Sequence, residues 1–132
     1  MKILIVDDCQ TTRKLLGLYL KSKGFEVVAA ENGLDAIEKL GTNSINLVLS
    51  DLNMPYMDGI ELVKALRADP GLSQMPVIMV TTEADPEERE KAITAGANGY
   101  MVKPVTADAV THHIKDLLKE IFNKGGNPDV RS

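Results

Sequence analysis

A single cysteine, Cys9, stands among 132 residues, so no disulfide can form within the chain and the usage suits a reducing compartment. Tryptophan is absent and aromatic residues make up only 4%, which leaves an aliphatic core. The cations form no run: 15 Lys and Arg are scattered against 19 Asp and Glu, for a formal charge of -4. That balance lacks the electrostatic footprint of a phosphate-backbone binder, which argues against nucleic acid as a partner. No apolar stretch approaches the ~18 residues of a membrane span. The opening MKILIVDD is too short for the core of a signal peptide. These absences predict a cytoplasmic chain with neither a membrane nor a nucleic acid partner.

Hydrophobic residues at 44% and charged residues at 26% give the balance of a folded globular domain. The length suits one domain, able to bury a core without disulfides or a structural metal. Ile3-Leu4-Ile5-Val6 is a short continuous apolar run, read as a strand buried on both faces. A helix follows from about Gln10 to Lys23, with Leu15, Leu16, Tyr19 and Leu20 as its apolar stripe and Gly24 as its stop. Phe25–Ala30 reads as a second strand, and Gly33–Leu40 as a helix closed by Gly41. Leu47–Ser50 is the third strand. Its helix starts near Asp58, an N-cap with Glu61 three residues on. Val77–Val80 is the fourth strand, followed by a helix with Asp85 as cap, Pro86 at its first position and Gly96 at its end. Tyr100–Val102 is the fifth strand. Thr106 caps a last helix with the stripe Val110, Ile114, Leu117, Leu118 and Ile121. Residues 123–132 carry Gly125-Gly126 and Pro128 without apolar periodicity and are expected to be a loose tail. Strict alternation of strands and helices predicts an α/β fold, a parallel sheet with helices on both faces.

In such a sheet, ligands sit beyond the carboxyl ends of the strands. The residues there are Asp7-Asp8 after the first strand, Asp51 and Asn53 after the third, Thr81-Thr82 after the fourth and Lys103-Pro104 after the fifth. Two carboxylates about 4 Å apart repel by roughly 4 kcal/mol at an effective dielectric of about 20. A cluster of three therefore calls for cations, and hard oxygen ligands suit Mg²⁺ or Mn²⁺. The crowding predicts that, without a divalent cation, Asp7→Ala or Asp51→Asn stabilises the fold. Asp51 could act as a nucleophile toward phosphorus, with Lys103 and Thr81 stabilising the transferring group. Asn53, two residues on, cannot move a proton, so rapid hydrolysis is not provided for. Taken one by one, Asp7-Asp8 could be an N-cap, Asp51 a turn residue and Tyr100 a packing residue; it is their convergence that argues for a site.

The stretches ILIVDD, LVLSDLNMPYMDGIEL, PVIMVTTEAD and AGANGYMVKP, in this order, closely resemble the receiver domain of bacterial two-component response regulators, and among these the single-domain, CheY-type chemotaxis regulators. The resemblance spans residues 1–122 and implies a flavodoxin-like (βα)5 fold with strand order 2-1-3-4-5. It implies that Asp51 takes a phosphoryl group from a histidine kinase or phosphotransfer domain. Asp8, Asp51 and the backbone carbonyl of Asn53 would hold Mg²⁺, with Asp7 assisting through water. Thr81, the backbone N–H of Thr82 and Lys103 would contact the phosphoryl group, and a cis bond would precede Pro104. Thr81 and Tyr100 would form the switch, Tyr100 moving inward on phosphorylation, and Asn53 and Glu83 would tune dephosphorylation. The output face would be the fourth helix, fifth strand and fifth helix, contacting a protein target such as a flagellar motor switch component. The chain is expected to be a monomeric signalling protein and not an enzyme, apart from its own phosphorylation and slow autodephosphorylation. The alternatives are an aspartyl-phosphate phosphatase on the same sheet and a receiver of a phosphorelay outside chemotaxis.

Overall fold

The apolar runs become five parallel strands, β1 (Lys2–Val6), β2 (Glu26–Ala30), β3 (Leu47–Ser50), β4 (Val77–Thr81) and β5 (Gly99–Val102). The computed structural model describes residues 1–125. Between and after the strands lie α1 (Gln10–Ser22), α2 (Gly33–Thr42), α3 (Gly59–Ala68), α4 (Pro86–Ala95) and α5 (Ala107–Gly125). The sheet order is β2-β1-β3-β4-β5, as expected. In-register pairs such as Val6↔Ser50 and Thr81↔Val102 bring the strand ends to a common edge. Among the described residues, no helix is long and apolar enough to cross a membrane.

Both faces of the sheet are covered. Leu4, Val6, Val48 and Met79 pack with Ala36, Leu40, Leu62, Leu66 and Ala92 of α2, α3 and α4. Ile3, Ile5, Leu49 and Ile78 pack on the other face with Leu16, Leu20, Val110 and Ile114 of α1 and α5. Alternation along each strand feeds the two layers, so the central runs have no polar side until Ser50, where the site begins.

The helix starts follow their caps. Asp58 accepts from the Glu61 N–H at 2.8 Å while Glu61 accepts from the Asp58 N–H at 3.0 Å, a complete capping box. Asp85 accepts from the Glu87 N–H ahead of Pro86, and Thr106 accepts from the Ala109 N–H. Two helix ends and one stripe residue differ from expectation. The second helix passes through Gly41 to Thr42, because Thr42 Oγ1 and Asn43 Nδ2 take the carbonyls of Glu38 and Lys39. Leu15, expected in the stripe of α1, is exposed, since Leu16, Leu20 and the half-buried Tyr19 already fill the seam. The fifth helix reaches Gly125 with Ile121 exposed, three residues into the expected tail; residues 126–132 of that tail lie outside the described residues.

Arg67, near the end of α3, makes a second kind of anchor. Its guanidinium donates to the carbonyls of Gly96, Ser73 and Met75 and to Asn98 Oδ1, at 2.7 to 3.2 Å. Burial lowers its pKa from the usual arginine value, and its hydrogen-bond partners among the described residues are all carbonyl oxygens. This clamp fixes the C-terminal end of α4, a helix whose only buried residue is Ala92.

Candidate functional site

The edge where β1, β3, β4 and β5 end carries the acids. One carboxylate oxygen from each of Asp7, Asp8 and Asp51 lies within 4.8 Å of the others. Their environments are unequal. Asp7 is 1% exposed, with Oδ2 accepting from Lys103 Nζ at 2.8 Å and Oδ1 from the Cys9 N–H at 2.8 Å. Asp51 Oδ1 accepts from the Leu52 N–H at 2.7 Å, and its Oδ2 lies 3.6 Å from Lys103 Nζ. Asp8 is exposed, without an ion-pair partner among the described residues. Lys103 is thus the one ammonium group between two carboxylates, placed by the turn of its cis bond to Pro104 and by its N–H donated to the Thr81 carbonyl.

The donor set fits a divalent cation. Hard carboxylate oxygens converge, the cluster's net charge with Lys103 remains negative, and the exposed Asn53 carbonyl accepts no hydrogen bond from the described residues. Asp51 is held from behind: Ser50 Oγ donates to its carbonyl at 2.8 Å. Gly59, the first residue of α3, presses on the same carbonyl so closely that a Cβ there would lie 2.5 Å from it. Gly59 has no substitute at that distance.

Thr81 and Tyr100 meet at one residue. The Glu83 N–H donates to Thr81 Oγ1 at 3.3 Å, and the Tyr100 hydroxyl donates to the Glu83 carbonyl at 2.7 Å. Tyr100 is 9% exposed, and burial, followed by the nearby Glu83 carboxylate, raises its pKa. The inward position expected to accompany phosphorylation is therefore already occupied in this structure, because the Glu83 carbonyl supplies a partner there. Glu83 itself turns its carboxylate along the loop to the Asp85 N–H at 3.0 Å. Thr82 is exposed and its N–H has no partner among the described residues.

Two neighbours escaped the sequence reading. Arg13 donates to the Asp7 carbonyl from one turn into α1; its spacing of six from Asp7 was the available signal. Tyr56, on the loop after Asp51, is 85% exposed and has φ 69°. A bulky side chain in the left-handed region is strained, and one this exposed buries little surface to offset it. Tyr56→Asn is expected to stabilise the protein by about 1 kcal/mol, measured by denaturant unfolding; a loss of stability would refute the strain.

The profile of the response regulator receiver domain matches residues 3–115. The chain is 42% identical over 125 residues to the chemotaxis protein CheY of Pseudomonas aeruginosa, spanning 94% of this chain and 98% of that one. It is 43% identical to CheY-3 of Vibrio cholerae, spanning 94% and 93%. Among solved structures, the chemotaxis protein CheY4 of Vibrio cholerae superposes with a TM-score of 0.83 at 34% identity, covering 88% of this chain and 97% of that one.

Proposed function

The chain belongs to the response regulator receiver domain family, and on that premise we propose that it is a phosphorylation-activated switch of a chemotaxis-type two-component pathway, with Asp51 as phosphoacceptor. The observation that carries the reading is the partly buried Asp51 carboxylate beside Lys103 in a cluster of three acids. The donor is the phosphohistidine of a kinase or phosphotransfer domain. Oδ2 of Asp51 attacks phosphorus, the P–N bond breaks, and the imidazole leaves with the electron pair and takes a proton. Oδ1 is already committed to the Leu52 N–H, which leaves Oδ2 as the attacking atom.

Asp8, Asp51 and the Asn53 carbonyl, with Asp7 behind them, would hold Mg²⁺ or its substitute Mn²⁺. That ion supplies charge neutralisation on the transferring oxygens. Lys103 turns from Asp7 to a phosphoryl oxygen, and the Thr82 N–H, which has no partner among the described residues, takes another. Asn53 at the mouth offers no general base to water, so the acyl phosphate persists.

Thr81 Oγ1 accepts from the Glu83 N–H, which leaves its own proton free to donate to the phosphoryl group, and any shift of Thr81 toward that group pulls on Glu83. The same loop residue carries the acceptor for Tyr100, so the charge change at Asp51 reaches Tyr100 through Glu83. The readout is the face of α4, β5 and α5, where a downstream protein such as a motor switch component would bind.

With Mg²⁺ and acetyl phosphate, the intact mass should rise by one phosphoryl group in the parent and not in Asp51→Asn. An unchanged parent mass would defeat the proposal, and steady phosphate release from small esters would indicate a phosphatase instead.

A further inference from the structure

Cations that looked scattered along the sequence gather on one flank of α1. From Cys9 to Phe25 the chain holds Arg13, Lys14, Lys21 and Lys23 and no acid, within a chain of net charge -4. Lys23 is paired with Asp108 at 2.6 Å. Lys14 and Lys21 have no carboxylate within ion-pair distance among the described residues. Together with Arg13 they border a groove of about 430 Å³ between α1 and edge strand β2, floored by Gly17, Val27 and Ala29.

The floor is not dictated by internal packing. A Cβ at Gly17 would meet only Val27 Cγ1, at an ordinary 3.8 Å. Glycine inside a helix is unfavourable relative to alanine, and here it leaves a notch between the cationic ends. Nor does the groove invite an added strand. Lys39 Nζ donates to the Ala29 carbonyl at 3.1 Å and so blunts the outer edge of β2.

We propose that this groove docks an acidic amphipathic helix of a partner protein, with an apolar side chain seated over Gly17 and carboxylates reaching Arg13 or Lys14 and Lys21. The cations lie seven to eight residues apart on α1, about 11 Å at helical rise. Acids at i and i+7 of a docked helix span the same length, with the apolar anchor at i+3 or i+4. The strand order puts β2 and β5 at opposite edges of the sheet. A partner here therefore leaves the α4–β5–α5 face free, and two proteins can be held at once. The proposal goes beyond phosphoryl transfer and does not depend on it.

The test is titration of the full chain with a synthetic helical peptide carrying Glu at i and i+7 and Leu at i+3 and i+4, followed by backbone amide NMR. Shifts should concentrate at residues 10–21 and 27–29, and affinity should fall with added salt. Lys14→Glu with Lys21→Glu should weaken binding by about tenfold or more. Gly17→Leu should do the same while its melting temperature stays at or above the parent's, which separates loss of the notch from loss of the fold. Asp51→Asn should bind within about twofold of the parent, so a failure of phosphorylation is read independently. Shifts confined to the α4–β5–α5 face, or equal affinity for a peptide with Lys in place of Glu, would overturn the proposal. So would stronger binding to phosphatidylserine vesicles or to a DNA duplex than to the acidic peptide.

Discussion

Lys103→Met is expected to lower the stability of the cation-free protein by about 3–5 kcal/mol, the cost of removing one partner of a buried ion pair. Asp7 is 1% exposed, and without Lys103 its carboxylate keeps, among the described residues, just the Cys9 N–H. Asp51 also loses its nearest cation, at 3.6 Å. The double variant Asp7→Ala/Lys103→Met should recover most of the loss, because the stranded charge is gone. Added Mg²⁺ should raise the melting temperature of Lys103→Met more than that of the parent, by returning positive charge to the cluster. Urea unfolding with and without MgCl₂ measures all of these; a loss below about 1 kcal/mol in Lys103→Met would refute the buried-pair account. The same geometry amends the expectation from crowding alone. Asp51→Asn should still stabilise the cation-free fold, whereas Asp7→Ala should not, since Asp7 is the acid that Lys103 and the Cys9 N–H neutralise.

Gly59→Ala should slow phosphorylation by acetyl phosphate by about a hundredfold, the scale of a 1 Å displacement of a reacting group, and cost about 1–3 kcal/mol of stability. A Cβ at residue 59 would lie 2.5 Å from the Asp51 carbonyl, 3.0 Å from the Leu52 Cα and 3.0 Å from Met79 Sδ. Two of these three are backbone atoms, so relief has to come from moving either the start of α3 or Asp51. The buried Leu62, Val63 and Leu66 hold α3 against the sheet, which leaves Asp51 to shift. Phosphorylation rates read by intact mass, beside thermal melting, test this; a destabilised variant that is phosphorylated at the parent rate would show that α3 yields instead.

The strands and helix starts were legible because each is written locally. Apolar runs such as Leu47–Ser50 have one use in a short chain, and Asp58 with Glu61 or Asp85 with Pro86 marks a helix start by hydrogen-bonding chemistry alone. The sheet then gathers Asp7, Asp8, Asp51, Thr81 and Lys103 from strand ends that were already located, so the cluster followed from topology. What stayed hidden depends on helix phase and loop path. Gly41 looked like a stop, but nearby Thr42 and Asn43 could satisfy the carbonyls and carry α2 onward. Leu15 looked like core until the seam of α1 proved narrow. The meeting of Thr81 and Tyr100 at Glu83 is a loop trajectory, and no spacing rule encodes it. The gathering of Lys14 and Lys21 with Arg13 needed the orientation of α1 against the sheet edge.

The Arg67 clamp gives α4 the mechanics of a lever. Four of its five hydrogen bonds end on main-chain carbonyls, two of them on Gly96, the residue that closes α4. The other end of the helix follows the loop that starts at Thr81 and Glu83. A ten-residue helix is about 15 Å long. A swing of ~10° about Gly96 would thus carry Pro86 by ~2.6 Å while Ala95 hardly moved. A displacement of the loop after Thr81 would therefore appear as travel of Pro86 and fade toward Ala95, the end that Arg67 holds.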